Sequence, residues 1–109
     1  MREVQELLRR LGLTERYVGF FYTACAVELC MDQPERLMFV TKWIYPDVAK
    51  RYQTNWTAVE RSIRTVRGML WKNNRQGLEF LVGRPLTEKP GAAQFLAMLA
   101  EGTARRASE

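Results

Sequence analysis

Two arginines and a glutamate are spaced so that their side chains suit the edges of DNA base pairs. Arg61 and Arg64 are three residues apart, so on a helix they lie on one face about one turn apart. The planar guanidinium fork matches the O6 and N7 acceptors of guanine. Glu60 can accept a hydrogen bond from the N4 amine of cytosine. We therefore predict that these three residues read bases in a major groove.

Neighbouring side chains suit the phosphates of the same duplex. Contacts to phosphate fix the register of a protein on DNA without reading sequence. Residues 50–75 carry seven basic side chains and one acidic side chain, a net charge of +6. Residues 1–49 have a net charge of −1 and residues 76–109 are neutral, so the whole positive excess of the chain, +5, comes from residues 50–75. The predicted phosphate or flanking contacts are Lys50, Arg51, Thr57, Thr65 and Arg67.

Other roles for these residues remain open at this stage. The arginines can form a solvated helix face, and Thr57 with Glu60 has the spacing of a capping box, in which Glu60 caps its own helix. Trp56 and Trp71 are expected to pack against the core rather than to stack on bases.

The composition offers little chemistry for an enzyme. The sequence has no histidine, no cluster with metal-ligand spacing and no glycine-rich phosphate loop, so we expect no catalytic residues, metal or cofactor. Cys25 and Cys30 lie five apart in an apolar stretch, which fits neither a CxxC pair nor a zinc half-site. They are predicted to be reduced core residues of a cytoplasmic, nucleoid-associated protein. The longest uncharged apolar run, Tyr17 to Val27, is too short to span a membrane.

The elements that position these residues are all predicted to be helices. Residues 1–109 are expected to form a single all-α domain of about six helices, with a helix-turn-helix at about 46–73. Within it, a short helix from Pro46 to about Tyr52 precedes a recognition helix from about Trp56 to Asn73. The apolar stripe of the recognition helix consists of Val59, Ile63, Val66 and Leu70, and its basic residues lie on the opposite side.

The remaining predicted helices are delimited by glycine, proline and threonine residues. A first helix ends at Gly12, and Thr14 is predicted to cap a central, almost wholly apolar second helix. Pro34 is expected to open a third helix that continues through Ile44. Gly77 and Gly83 bracket a short helix, and a last helix is predicted from Gly91 to about Thr103.

Four segments in order resemble the C-terminal DNA-binding domain of stage 0 sporulation protein A. They are GFFY at 19–22, TKWIYPDVAKRYQT at 41–54, VERSIR at 59–64 and KPGAAQFLAMLA at 89–100. The resemblance implies an all-helical regulator that binds a TGTCGAA-like promoter box, often in tandem, and acts through the sigma subunit of RNA polymerase. It assigns major-groove contacts to Glu60, Arg61 and Arg64.

The chain also departs from the family pattern. Ala58 stands in place of an arginine, Thr65 in place of a histidine, and Asn55 and Trp56 in place of small residues. Arg67 and Gly68 replace an apolar and an acidic residue, so stronger phosphate binding or a shifted site preference is expected. The receiver domain is absent from these 109 residues, and the stretch at 72–85, where the family contacts sigma, matches poorly.

These observations favour a sequence-specific, double-stranded-DNA-binding transcriptional regulator. Because one domain of this size buries little surface on DNA, we expect weak binding to a single site, helped by tandem sites or a homodimer. The alternative is a protein-interaction module that keeps the fold but binds a regulator or RNA polymerase.

Overall fold

The computed structural model describes residues 1–108, and all of its regular elements in that range are helices. The predicted all-α fold is confirmed, with seven α-helices rather than about six. In chain order the elements are α1 (Arg2–Arg10), α2 (Val18–Asp32), a 3₁₀ helix (Pro34–Phe39), α3 (Val40–Trp43), α4 (Tyr45–Arg51), α5 (Trp56–Asn73), α6 (Arg75–Val82) and α7 (Ala92–Ala107).

Helix α2 is the centre of the fold, as its apolar sequence predicts. It contacts α1, α4, α5 and α7, and Phe20, Ala24 and Val27 are fully buried. A helix that is apolar on all sides can bury its apolar surface only when other helices surround it. Cys25 and Cys30 lie in this core as free thiols, and burial raises the pKa of Cys30 to about 11. The predicted core position of both cysteines is confirmed.

Two predicted helix boundaries are wrong for local reasons. Thr14 does not cap α2, which begins at Val18 without a side-chain cap. The Thr14 carbonyl instead accepts from the Tyr17 amide at 3.2 Å, and this turn delays the start of the helix. The third segment starts as a 3₁₀ helix and becomes α-helical only at Val40, because the non-helical backbone of Phe39, with φ of −143° and ψ of 72°, interrupts it.

The last two helices start or end outside their predicted limits. Helix α7 continues to Ala107, and α6 begins at Arg75, before the predicted piece. Asn74 explains the early start, because its Oδ1 accepts from the Gly77 amide at 3.1 Å and its amide donates to the Leu11 carbonyl at 2.9 Å. One side chain therefore caps α6 and ties it to the end of α1.

A four-residue turn joins α4 to α5, as the sequence predicts. Residues Tyr52 to Asn55 are not helical, and the Thr54 amide donates to the Ala49 carbonyl at 2.9 Å while the Gln53 amide donates to the Lys50 carbonyl at 3.4 Å. This pair of bonds is a Schellman motif, which usually has glycine at the left-handed position. Here that position is Gln53, with φ of 54°.

Replacing Gln53 with glycine is expected to raise the free energy of unfolding by about 0.5–1 kcal/mol, because glycine adopts the left-handed region without a Cβ clash. Urea denaturation followed by circular dichroism measures the change. Gly83→Ala is the converse control, since Gly83 caps α6 with φ of 70° and should lose a similar amount. A loss of stability in Gln53→Gly would contradict the proposed strain.

Across residues 1–108, the helices lack the combination of length and apolar character that crossing a bilayer requires.

Candidate nucleic-acid interface

Helix α5 is buried along one side and uncovered along the other, with the bounds the sequence predicts. Val59, Ile63, Val66 and Leu70 are each at most 2% exposed, which confirms the predicted apolar stripe. This stripe packs α5 against α2 and α4. The opposite side faces solvent and carries the candidate base-reading residues.

A glycine in α2 sets how closely α5 approaches the core. A Cβ placed on Gly19 would lie 2.5 Å from Cγ2 of Val66 and 2.8 Å from the carbonyl oxygen of Ser62. The second contact is with backbone, so a side-chain rotation cannot relieve it. The close packing of α5 against α2 therefore requires glycine at position 19, a role that the sequence alone did not indicate.

The first turn of α5 is capped by Asn55 rather than by a capping box. The Asn55 Oδ1 accepts from the Ala58 amide at 2.8 Å. This geometry places Thr57 inside the helix, so the alternative in which Thr57 and Glu60 form a capping box is wrong. Asparagine directly before an amphipathic run is itself a helix-start signal, and it could have identified the cap.

Glu60 and Arg64 lie one turn apart and form an ion pair. Their Oε2 and Nη1 atoms are 3.6 Å apart, and the two side chains remain 30% and 55% exposed. A solvent-exposed helix pair of this kind contributes only about 0.3–0.5 kcal/mol, so it is readily exchanged for another partner. Arg61 is exposed and makes no ion pair among the described residues. Both guanidinium groups are therefore available to an external acceptor.

Arg67 occupies the border between the outer face and the core. It is half-buried, and its Nε is buried without a hydrogen-bond partner within residues 1–108. Burial raises the pKa of the Tyr45 phenol above its usual value, and the positive charge of Arg67 opposes that rise. Arg67 thus lies near Tyr45 of α4, at the edge of the face as predicted.

The remaining flanking residues lie on the surfaces of α4 and α5. Lys50, Arg51, Thr57 and Thr65 are all exposed. The Thr65 hydroxyl donates to the Arg61 carbonyl at 3.0 Å, so its hydrogen is already used within α5. Burial raises the pKa of the Cys25 thiol while the charge of Arg51 lowers it, which places Arg51 beside α2.

The two tryptophans of α5 behave differently. Trp71 packs against the core, as predicted, and the guanidinium of Arg75 lies 4.5 Å from its ring centroid. Trp56 is 46% exposed, so the expectation that it is a packing residue is wrong at that position. Its place in the first turn of α5 leaves much of the indole beyond the edge of the core.

Arg75 is one of the seven basic residues at 50–75 but has a structural role. Its guanidinium donates to the Leu86 carbonyl and lies 3.4 Å from a carboxylate oxygen of Glu79. The bond to Leu86 ties α6 to the loop before α7, and the pair with Glu79 lies within α6. Among residues 50–75, the other basic side chains lie on α4 and α5.

Comparison with known families agrees with this geometry. The family model described as sporulation initiation factor Spo0A C terminal matches residues 4–102 of the 109-residue chain. The match includes most of α1, all of α2 to α6 and most of α7, and it covers the basic residues 50–75. That family is the DNA-binding domain of a response regulator and not an enzyme family, so DNA is a partner. The chain belongs to the family of the Spo0A C-terminal domain and is a DNA-binding regulator of the sporulation type.

Proposed function

We propose that residues 1–109 act as one DNA-binding domain that recognises a TGTCGAA-like box through a helix-turn-helix made of α4 and α5. The supporting observation is the two-sided character of α5, with an apolar stripe at most 2% exposed and an uncovered basic face. In a helix-turn-helix the second helix enters the major groove and its N-terminal half contacts bases. Glu60, Arg61 and Arg64 lie in that half.

The ion pair on α5 supports a simple mechanism of base reading. In the free protein the Arg64 guanidinium lies near Glu60, and in the groove it would exchange that carboxylate for O6 and N7 of a guanine. The released Glu60 carboxylate would then accept from the N4 amine of a cytosine. The box contains both bases, so one exchange would satisfy both side chains. Arg61, one turn before Arg64, would address a neighbouring guanine.

The flanking residues would hold the duplex in register. Lys50 and Arg51 lie in the last turn of α4, and Thr57 and Arg67 border the base-reading residues on α5. Thr65 lies on the same helix and would contact a phosphate only after its hydroxyl releases the Arg61 carbonyl. Contacts of this type go to phosphates and give affinity without specificity. A domain of this size would bind one box weakly, so tandem boxes or a homodimer would strengthen binding. Once bound to the promoter, the domain would contact the sigma subunit of RNA polymerase.

The experiment that tests this proposal is fluorescence anisotropy on two labelled duplexes, one with tandem TGTCGAA-like boxes and one scrambled, across a salt series. We expect binding to the boxed duplex to be tighter by about tenfold or more, with a steep salt dependence. Equal, salt-sensitive binding would reduce the site to a nonspecific basic face. The absence of binding to either duplex at low salt would favour the protein-interaction module instead.

Lys50 provides a test of the phosphate contacts. Replacing Lys50 with glutamine should weaken binding to boxed and scrambled duplexes alike and reduce the slope of log K against log salt by about one unit. Arg16→Gln is a matched control, because Arg16 is an exposed cation in the turn before α2. An unchanged salt slope in Lys50→Gln would rule out a phosphate contact at this position.

A further inference from the structure

A cleft of about 670 Å³ is lined mainly by residues of α1, α6 and α7. Its lining includes the arginines at positions 10, 105 and 106, and none of its lining residues is acidic. Three guanidinium groups around one opening, without a carboxylate in its wall, form an anion-binding environment. The residues assigned to DNA contact are not part of this wall.

The helix dipoles offset only part of the positive charge of these three arginines. They lie in or next to the last turns of α1 and α7, where cations are favoured by the negative end of the helix dipole. Each helix end carries roughly half a negative charge, so two ends offset only about one of three positive charges. Arg105 also donates to the Leu81 carbonyl, whereas Arg10 and Arg106 have no ion-pair or hydrogen-bond partner among the described side chains.

The cleft also presents apolar surface beside the charges. Phe80 on α6 is 84% exposed, the most exposed large apolar side chain in the described range, and it lines the same opening as Leu81. An exposed aromatic ring offers a face on which a planar ring can stack. Arginine forks bind phosphate oxygens in pairs. The volume lies within the range of about 300–1,000 Å³ that is usual for small-ligand sites.

We propose that this cleft binds a small organic polyanion with a planar ring, the chemistry of a nucleoside polyphosphate. Arg10 and Arg106 hold the phosphates, with the remaining donors of Arg105 beside them, and the ring stacks on Phe80. Asn74, which caps α6 directly after α5, also lines the cleft, so the bound molecule lies next to the end of α5. This site is independent of the proposed base-reading face.

The test is isothermal titration calorimetry of the full chain with two probes, ATP and inorganic tripolyphosphate. We expect saturable binding of ATP that persists when the boxed duplex is present at saturation. Arg10→Gln and Arg106→Gln should each weaken ATP binding by about fivefold or more, since each removes charge-assisted hydrogen bonds. Arg16→Gln removes an exposed charge outside the cleft and should change it little.

The variant Phe80→Ala distinguishes binding of the planar ring from binding of the phosphates. It should weaken ATP but leave tripolyphosphate binding unchanged, and because Phe80 is mostly exposed the variant should keep its thermal stability. Three results would overturn the proposal: displacement of ATP by the duplex, equal losses in Arg16→Gln and Arg106→Gln, or no saturable binding of ATP. Equal effects of Phe80→Ala on both probes would overturn the assignment of a ring-bearing ligand.

Discussion

Replacing Gly19 with alanine is expected to lower the free energy of unfolding by about 2–3 kcal/mol, within the range for overpacked cores. The added Cβ would lie 2.8 Å from the Ser62 carbonyl oxygen and 2.5 Å from Cγ2 of Val66. Val66 is buried and cannot rotate freely, and the carbonyl belongs to the backbone of α5. The two helices must therefore separate, which opens the core along the stripe that seats α5. Urea denaturation followed by circular dichroism measures the loss.

Gly68 provides the matched control for this substitution. It lies inside α5, and a Cβ built there meets nothing within 4 Å. Gly68→Ala should leave stability unchanged or raise it by up to about 1 kcal/mol, because alanine is the better helix former. If Gly19→Ala were as stable as Gly68→Ala, the close approach of α2 and α5 would not be limiting.

The recognition helix was predictable because its signals are local. The apolar spacing from Val59 to Leu70 fixes the buried side, and the polar residues before Trp56 mark the start, so the predicted bounds agree with α5 residue for residue. The central position of α2 followed in the same way from its uniformly apolar sequence. Periodicity and composition carry this information without knowledge of the partner elements.

The features that the sequence missed depend on contacts between distant residues or on competing caps. Asn74 donates to Leu11, sixty-three positions away, and no pattern around Asn74 reveals that partner. The sequence does not distinguish Gly19 from the other six glycines, because its close contacts are with residues of α5. At the start of α5, Asn55 and Thr57 both have the residue type of a cap, and the turn geometry selects Asn55. The family resemblance supplied the candidate bases, and the structure supplies the exposure of the side chains that would read them.

Replacing Arg64 with alanine is expected to weaken binding to the boxed duplex by about 1–3 kcal/mol, or roughly 5- to 150-fold, and to weaken binding to scrambled DNA much less. The guanidinium is 55% exposed and held only by a weak pair with Glu60, so its main interaction would form in the groove. Arg61→Ala should give a loss of the same order, and anisotropy on both duplexes measures each variant.

Lys72→Ala distinguishes base reading from charge. Lys72 is an exposed cation in the last turn of the same helix, beyond the half that enters a groove, so its loss removes equal charge from α5. It should reduce binding to boxed and scrambled duplexes by the same small factor. In Arg64→Ala the ratio between the two duplexes should fall, because a bidentate contact to guanine exists only on the box. An equal loss on both duplexes would mean that Arg64 contacts phosphate, and sequence reading would then have to lie with Glu60 and Arg61.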